Sequence, residues 1–366
     1  MDLSEQPLET ETTSPLVSES EIGRAVSVDY YEAGIVSDEL RAAFDLFVGY
    51  WIVLVLSTLG VVTNSLTMVI LIRQGFRDSV NVSLLSIAVW DQIKCLAGVI
   101  FRLHGPIRLV DPVSGVIWEN GSRTYLVYLP IFAGYVSYGL ATYLSIERCL
   151  SISMPFRVRF LFSPRLTSTV MVVVSLVIFS SFSPVLFIYS LEFVHSPYYN
   201  ASIIVRKPGT LYYAQDGLIL KMYKFLGIFY PAIFCTTMVV SSAIIIFHLR
   251  KSAANFHKFD QQKTSRDATS GAKVDLSSRE ARVTKMLLVV IFIYLMDFFP
   301  RLCKYVASLI EPEFFAYRRY HNLMLVMSNT IWVLDFVNAS VNFFVFMSMS
   351  SSFKKTFYEV FSRRVK

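Results

Sequence analysis

Cysteine is scarce and scattered in this chain. Four residues among 366 form no CxxC pair and no framework spacing, so neither a disulfide-stapled domain nor a thiolate metal site is expected. Charge is sparse as well: Asp, Glu, Lys and Arg make up 17% of the sequence, against about 25% in ordinary soluble domains. The five histidines, His104, His195, His248, His257 and His321, are dispersed. With no clustered constellation of His, Cys or carboxylates, no catalytic centre is expected and the chain does not read as an enzyme. Internal repeats are also missing, which argues against an inverted-repeat transporter. What fills the chain instead is apolar. Residues of that type reach 54%, more than a soluble globule hides, and the natural solvent for such a surface is lipid.

A helix that crosses a bilayer needs about 20 mainly apolar residues. Four runs, 46–72, 124–146, 166–191 and 225–249, contain no Asp, Glu, Lys or Arg at all. Three more apolar segments are interrupted by charge: 80–101 with Asp91 and Lys94, 284–308 with Asp297, Arg301 and Lys304, and 321–349 with Asp335. The expectation is an all-α membrane protein, a seven-span helix bundle. A channel or transporter is the alternative, but it needs a continuous polar path, against which the four uncharged spans argue.

The net charge of +7 hides an asymmetry. Residues 1–45 hold eleven acidic groups and only Arg24 and Arg41, lack a charged-then-apolar signal pattern, and read as a disordered outer tail. With that tail outside, segments 73–80, 148–165, 250–285 and 350–366 lie inside and carry 20 of the 34 Lys and Arg residues, as basic cytoplasmic loops should. These basic residues sit in gaps between apolar runs, not on a folded face with aromatic readers, so nucleic acid is not an expected partner. The sequons at Asn120 and Asn200 fall outside and are candidate glycosylation sites, whereas the one at Asn81 falls at an inner end. A flexible inner loop is expected over 250–282, and a short cytoplasmic tail over 350–366.

Polar groups within spans are costly and normally face the bundle interior. Asp335, Asn338 and Asn342 share one helical face by their spacing. With Asp91, Asn64 and Ser137 they form either an inward polar cluster that holds water or a cation, or a purely structural hydrogen-bond network.

Several residues stand in an ordered series of recognisable motifs: Thr63-Asn64 in the first span, Ile87-Ala88-Val89-Trp90-Asp91 in the second, Glu147-Arg148-Cys149 closing the third with Pro155 beyond, Pro184, Pro231 and Pro300 in the fourth to sixth, and Asn342-Phe343-Phe344-Val345-Phe346 in the seventh. Phe353, Lys354, Lys355 and Phe357 suit a short amphipathic helix after it. Over residues 46–361 the chain resembles the rhodopsin-like, class A, G-protein-coupled receptors. The stretch from Glu147 to Val158 is most similar to molluscan chemosensory and neuropeptide receptor-like sequences. The resemblance implies a plasma-membrane receptor with an extracellular N-terminus, a neuropeptide or small chemosensory ligand outside, and a heterotrimeric G protein and arrestin inside.

The same resemblance assigns roles. Arg148 would pair with Glu147 and with Glu280 at the base of helix six, unless Glu280 is simply solvated beside Arg279 and Arg282. Pro231, Phe298, Pro300 and Phe346 would form the switch, and Asp91, Ser137, Asn338 and Asn342 an allosteric sodium site; no other cofactor is implied. Departures are equally clear. Arg123 stands where the family's helix-three cysteine is usual, so no disulfide is expected. Phe298 replaces a tryptophan, Phe343 a proline, Phe346 and Val239 tyrosines. Phe336 stands at the retinal-lysine position and Pro130 at the amine-binding aspartate, which excludes light and amine receptors. The ligand pocket is expected between the outer halves of the spans, lined by Lys94, Arg102, Arg301 and Lys304 above Asp335, a basic set suited to an acidic ligand. Internal pairing of Lys94 with Asp91 and of Arg301 with Asp297 is the competing reading. Tyr30 and Tyr31 are either a sulfation site or part of a solvated tail.

Overall fold

The computed structural model describes residues 35–154, 162–213, 217–262, 271–314 and 318–361, with the helical backbone alone over 252–262 and 271–283. Glu280, Tyr30, Tyr31 and Pro155 therefore lie outside the residues whose side chains are described. Among the described residues seven helices are long and apolar enough to cross a membrane. They are α1 (Asp38–Gln74), α2 (Ser79–Arg102), α3 (Tyr128–Ser153), α4 (Pro164–Phe182), α5 (Leu218–Gln262), α6 (Gly271–Ile310) and α7 (His321–Met349). An eighth, α8 (Ser351–Phe361), follows the last span and tucks Phe353 against Phe343 and Phe346. This is the expected seven-span bundle with its short terminal helix.

Local chemistry sets the ends of these helices. Gly75, at a φ of 85°, closes α1, in a conformation glycine adopts without strain. Asp78 caps α2 by accepting from the Val80 amide at 3.1 Å, and Ser163 caps α4 ahead of Pro164, both with the side-chain oxygen that an N-terminus requires. Between α2 and α3 the chain forms two further helical segments, His104–Val110 and Pro112–Leu126. Asp111 caps the second, and the Ser114 hydroxyl and Val113 amide hold its carboxyl below the usual range.

Several boundaries differ from expectation, and α5 and α6 also run as helix to Gln262 and from Gly271, into the stretch expected as a flexible loop. The first helix starts at Asp38, inside the segment expected to be a tail. Its opening turns are tied down: Asn322 donates to the Val36 carbonyl at 2.9 Å and to Asp38 at 3.0 Å, and Asn329 donates to Asp45 at 2.5 Å. The fourth span is shorter than the apolar run 166–191. Near Pro184 the helix tightens into a 3₁₀ turn, Ser183–Phe187, and ends, as the missing amide and fixed φ of proline favour. The chain then forms an antiparallel hairpin, β1 (Tyr189–Ser196) and β2 (Ala201–Pro208), so the molecule is not purely α-helical. The hairpin packs on Pro112–Leu126, where Asn120 donates its side-chain amide to the Ile204 carbonyl at 2.8 Å. Asn120, expected to carry a glycan, is thus half-buried and engaged, while Asn200 is exposed at the hairpin turn.

The bundle core is aromatic. Phe132, Tyr135 and Tyr138 of α3 meet Phe182 of α4, Phe234 of α5, and Tyr294 and Phe298 of α6. Small residues let the helices close around them. A methyl at Gly98 of α2 would lie 2.5 Å from the buried ring of Phe336 on α7 and 3.2 Å from Ser57 of α1. All four cysteines are helical with free thiols. Val239 is 53% exposed on the bundle's outer face, so it does not stand in for a switch tyrosine. Gly98→Ala should therefore cost about 1–3 kcal/mol of stability through overpacking. Thermal unfolding of the purified protein checks this, and an unchanged melting temperature would show that Phe336 has room to yield.

Candidate functional site

A chain of buried charges runs down the middle of the bundle. At its centre Asp91 of α2 is fully buried. It accepts from Ser137 of α3 at 2.9 Å, Asn342 of α7 at 3.3 Å and Tyr294 of α6 at 3.4 Å. The ammonium of Lys94, one helical turn on, lies 3.4 Å from the same carboxylate. Spacing of three residues brings the pair onto one face, and Gly134 of α3 leaves the space that the lysine stem fills. Lys94 is 1% exposed. The internal-pairing reading of Lys94 is the one the structure supports, and the lysine does not line a ligand pocket.

The four residues expected to hold sodium are divided. Asp91, Ser137 and Asn342 meet, but Asn338 instead donates to Asp297 of α6 at 2.8 Å. The set does not fit a metal ion, because a tethered ammonium already supplies the positive charge beside Asp91. Asn64 is also elsewhere: its amide donates to the Gly60 and Ala339 carbonyls, both at 2.9 Å, and joins α1 to α7.

Towards the hairpin end the chain continues through Tyr138. Its hydroxyl lies 2.5 Å from Asp297 and 3.1 Å from Asp335. Asp335 is also ion-paired with Arg301. The four-residue spacing of Asp297 and Arg301 allows a pair within α6, but Arg301 takes the tertiary partner on α7. Phe298, on the same turn, is fully buried with its ring 4.1 Å from that of Tyr138. Tyr138 and Tyr294 are the members of this network to which sequence spacing gives no role, and Asp297, expected only as a partner for Arg301, is held by Tyr138 and Asn338. Asp297 was visible as a charge inside an apolar span; the tyrosines carried no signal, since aromatic residues fill cores everywhere.

Above Asp335 opens a cavity of about 860 Å³ between α3, α5, α6, α7 and the hairpin. Arg301, Lys304 and Asp335 line it as expected. Arg102 does not. Its guanidinium donates to the Gly49 carbonyl at 2.7 Å and the Gly98 carbonyl at 3.1 Å, so it ties α2 to a π-helical stretch of α1, Asp45–Ile52. Tyr128, Tyr223, Tyr305, Trp332 and the hairpin's Arg206 complete much of the wall, and none of these was singled out from sequence.

At the opposite end, Glu147 is buried and accepts from Ser83 at 3.4 Å and from Ser79, both on α2. Arg148 donates to Glu147 at 3.1 Å and keeps some exposure. Phe346 is buried near α8 and borders a second cavity of about 410 Å³ with Asp78, Met286 and Phe353. Pro231 lies within α5 and Pro300 within α6.

Residues 51–364 match the model of a family described as the serpentine type 7TM GPCR chemoreceptor Srw. No curated protein matches the chain. Removing one partner of a buried pair costs about 3–5 kcal/mol, while replacing both by apolar or neutral groups is often tolerated. Asp91→Asn and Lys94→Met should each lower thermal stability sharply, and the double variant should recover most of the loss. Additive losses in calorimetry would contradict the pairing.

Proposed function

Because the chain belongs to the Srw family of serpentine seven-transmembrane chemoreceptors, we propose that it reports an extracellular chemical through the cavity at its hairpin end, with a heterotrimeric G protein docking at the Arg148 end. The observation that carries this reading is the polar chain that runs inward from the cavity floor: Arg301, Asp335, Tyr138, Asp297 and Asn338. A ligand that moves the first member changes the partners of the rest, and shifts the bundle by its differential affinity for two arrangements.

The hairpin end lies outside in this reading, with the N-terminus. Arg73, Arg77, Lys354 and Lys355 then sit on the cytoplasmic side, as the positive-inside bias favours. A small chemosensory ligand is preferred to a neuropeptide, because the cavity volume suits a small molecule and the family is one of chemoreceptors. The order of Asn64, Asp91, Glu147, Arg148, Pro231 and Pro300 supports placing the receptor with the rhodopsin-like class. In that scheme Arg148 leaves Glu147 for the G protein, Pro300 is the kink about which α6 swings, and Lys94 takes the place of a mobile sodium ion. Arrestin would share the same inner face.

Two outcomes test the proposal. Arg148→Ala should abolish G-protein activation at unchanged surface expression, and full coupling would remove Arg148 from the mechanism. Glycosidase treatment should lower the apparent mass, and Asn200→Gln should abolish most of that shift because Asn200 is the exposed sequon. A glycan on Asn81 would reverse the orientation.

A further inference from the structure

The walls of the hairpin-end cavity are electrostatically one-sided. Arg206, Lys224, Arg301, Lys304 and Arg318 line it, with Asp335 as the single acidic residue among the described ones. Asp335 is already engaged, by Arg301 and by the Tyr138 hydroxyl. Two of the cations retain donors for a further acceptor. Arg301 is 5% exposed, and its Nε is buried with no hydrogen-bond partner. Lys304, three residues along the same face of α6, donates to the Ser328 hydroxyl at 2.6 Å. Among the described residues it has no ion-pair partner. Arg206 reaches over the cavity from the hairpin, its guanidinium 4.2 Å from the centre of the Tyr189 ring.

A buried donor left unpaired is costly, and a half-buried ammonium held by a hydroxyl keeps donors for an anion. Both are met by one oxyanion with two acceptor atoms. At the cavity floor Arg301 and Lys304 against Asp335 leave one positive charge, which a carboxylate seated there neutralises, and Arg206, Lys224 and Arg318 keep the rest of the wall positive. Much of the rest of the wall is aromatic and aliphatic, with Tyr128, Tyr223, Tyr305, Trp332, Ile131 and Ile331 prominent among the remaining basic residues. Such a surface favours an apolar body stacked on rings. An amine would meet two cations and no available carboxylate.

Resting on the chemoreceptor reading above, we propose that the ligand is an amphipathic organic acid. Its carboxylate binds Arg301 Nε and Lys304 Nζ beside Ser328, and its aromatic or branched apolar body lies against the tyrosine and tryptophan wall. By drawing on Arg301, the acid competes with Asp335 for the same guanidinium, which is where ligand binding meets the buried charge chain.

The test uses the full-length receptor in nanodiscs and matched sets of aromatic compounds: free carboxylic acids, their primary amides, the corresponding amines and their phosphate monoesters. A peptide series with free or amidated C-termini separates an acid carried on a small molecule from one at a chain end. Thermal stabilisation reads binding, and nucleotide exchange on added G protein reads signalling. Free acids should stabilise the receptor at concentrations at least tenfold below their amides and amines. Lys304→Gln should raise the half-maximal concentration tenfold or more, with Lys304→Arg restoring it. Surface expression and the ligand-free melting temperature of each variant control for folding. Equal binding of acids and amides, preference for amines, no acid binding at millimolar concentration, or an unchanged Lys304→Gln would each overturn the proposal. A preference for phosphate monoesters over carboxylates would overturn the carboxylate assignment. The receptor reading fails separately: acids that stabilise the protein without any nucleotide exchange keep the anion site and remove the signalling role, whereas neutral compounds that drive exchange do the reverse.

Discussion

The burial of three carboxylates and two cations inside one membrane-spanning bundle is the constraint on which the rest of this structure depends. Asp91 with Lys94, and Asp335 with Arg301, are each paired within the protein, and Asp297 between them is held by Tyr138 and Asn338. Charges in hydrocarbon cost several kcal/mol each and persist only when partnered. Their partners come from α2, α3, α6 and α7, so those four helices must stand in one relative arrangement for all the groups to be satisfied together. The surrounding aromatic core and the small residues at Gly98 and Gly134 give this arrangement its shape.

The same constraint underlies the part that α6 plays in the proposed signalling. Asp297 and Arg301 flank Pro300, the residue best placed to let a helix bend. A swing of the lower half of α6 about that proline changes the separation of Asp297 and Arg301 from their partners on α3 and α7. Phe298, packed on Tyr138, moves with them. In the proposed mechanism the ligand therefore acts on Arg301 from above while the G protein reads the position of α6 from below. In the same proposal Lys94, a fixed charge beside Asp91, stands where a diffusing cation would otherwise sit.

Much of this was legible in the sequence. The four uncharged runs and the charges interrupting the other three spans gave the seven helices, since no other fold hides such segments. Asp91, Arg301 and Asp335 were marked by their depth, and the three-residue spacing allowed the Lys94–Asp91 pair. Tertiary geometry decided what spacing could not. Arg301 chose Asp335 across the bundle over Asp297 on its own helix, Asn338 turned to Asp297, and Arg102 was consumed by carbonyls of α1 and α2. The hairpin Tyr189–Pro208 was hidden because the apolar run of the fourth span continues into β1 without a change in composition. The tyrosines that bridge the carboxylates look in sequence like any core aromatic.

The central claim is that the buried charge chain connects the hairpin-end cavity to the G-protein end. Tyr138→Phe tests it most directly, because it removes the one hydroxyl between Asp297 and Asp335 and preserves the ring that packs on Phe298. The measurement is ligand-free nucleotide exchange on a G protein by the purified receptor in nanodiscs. Loss of a bridging hydrogen bond worth about 1–2 kcal/mol in one arrangement only should change basal exchange by roughly fivefold or more. Unchanged exchange from a folded, surface-expressed Tyr138→Phe receptor would contradict the connection and leave the charge chain a purely structural feature of the bundle.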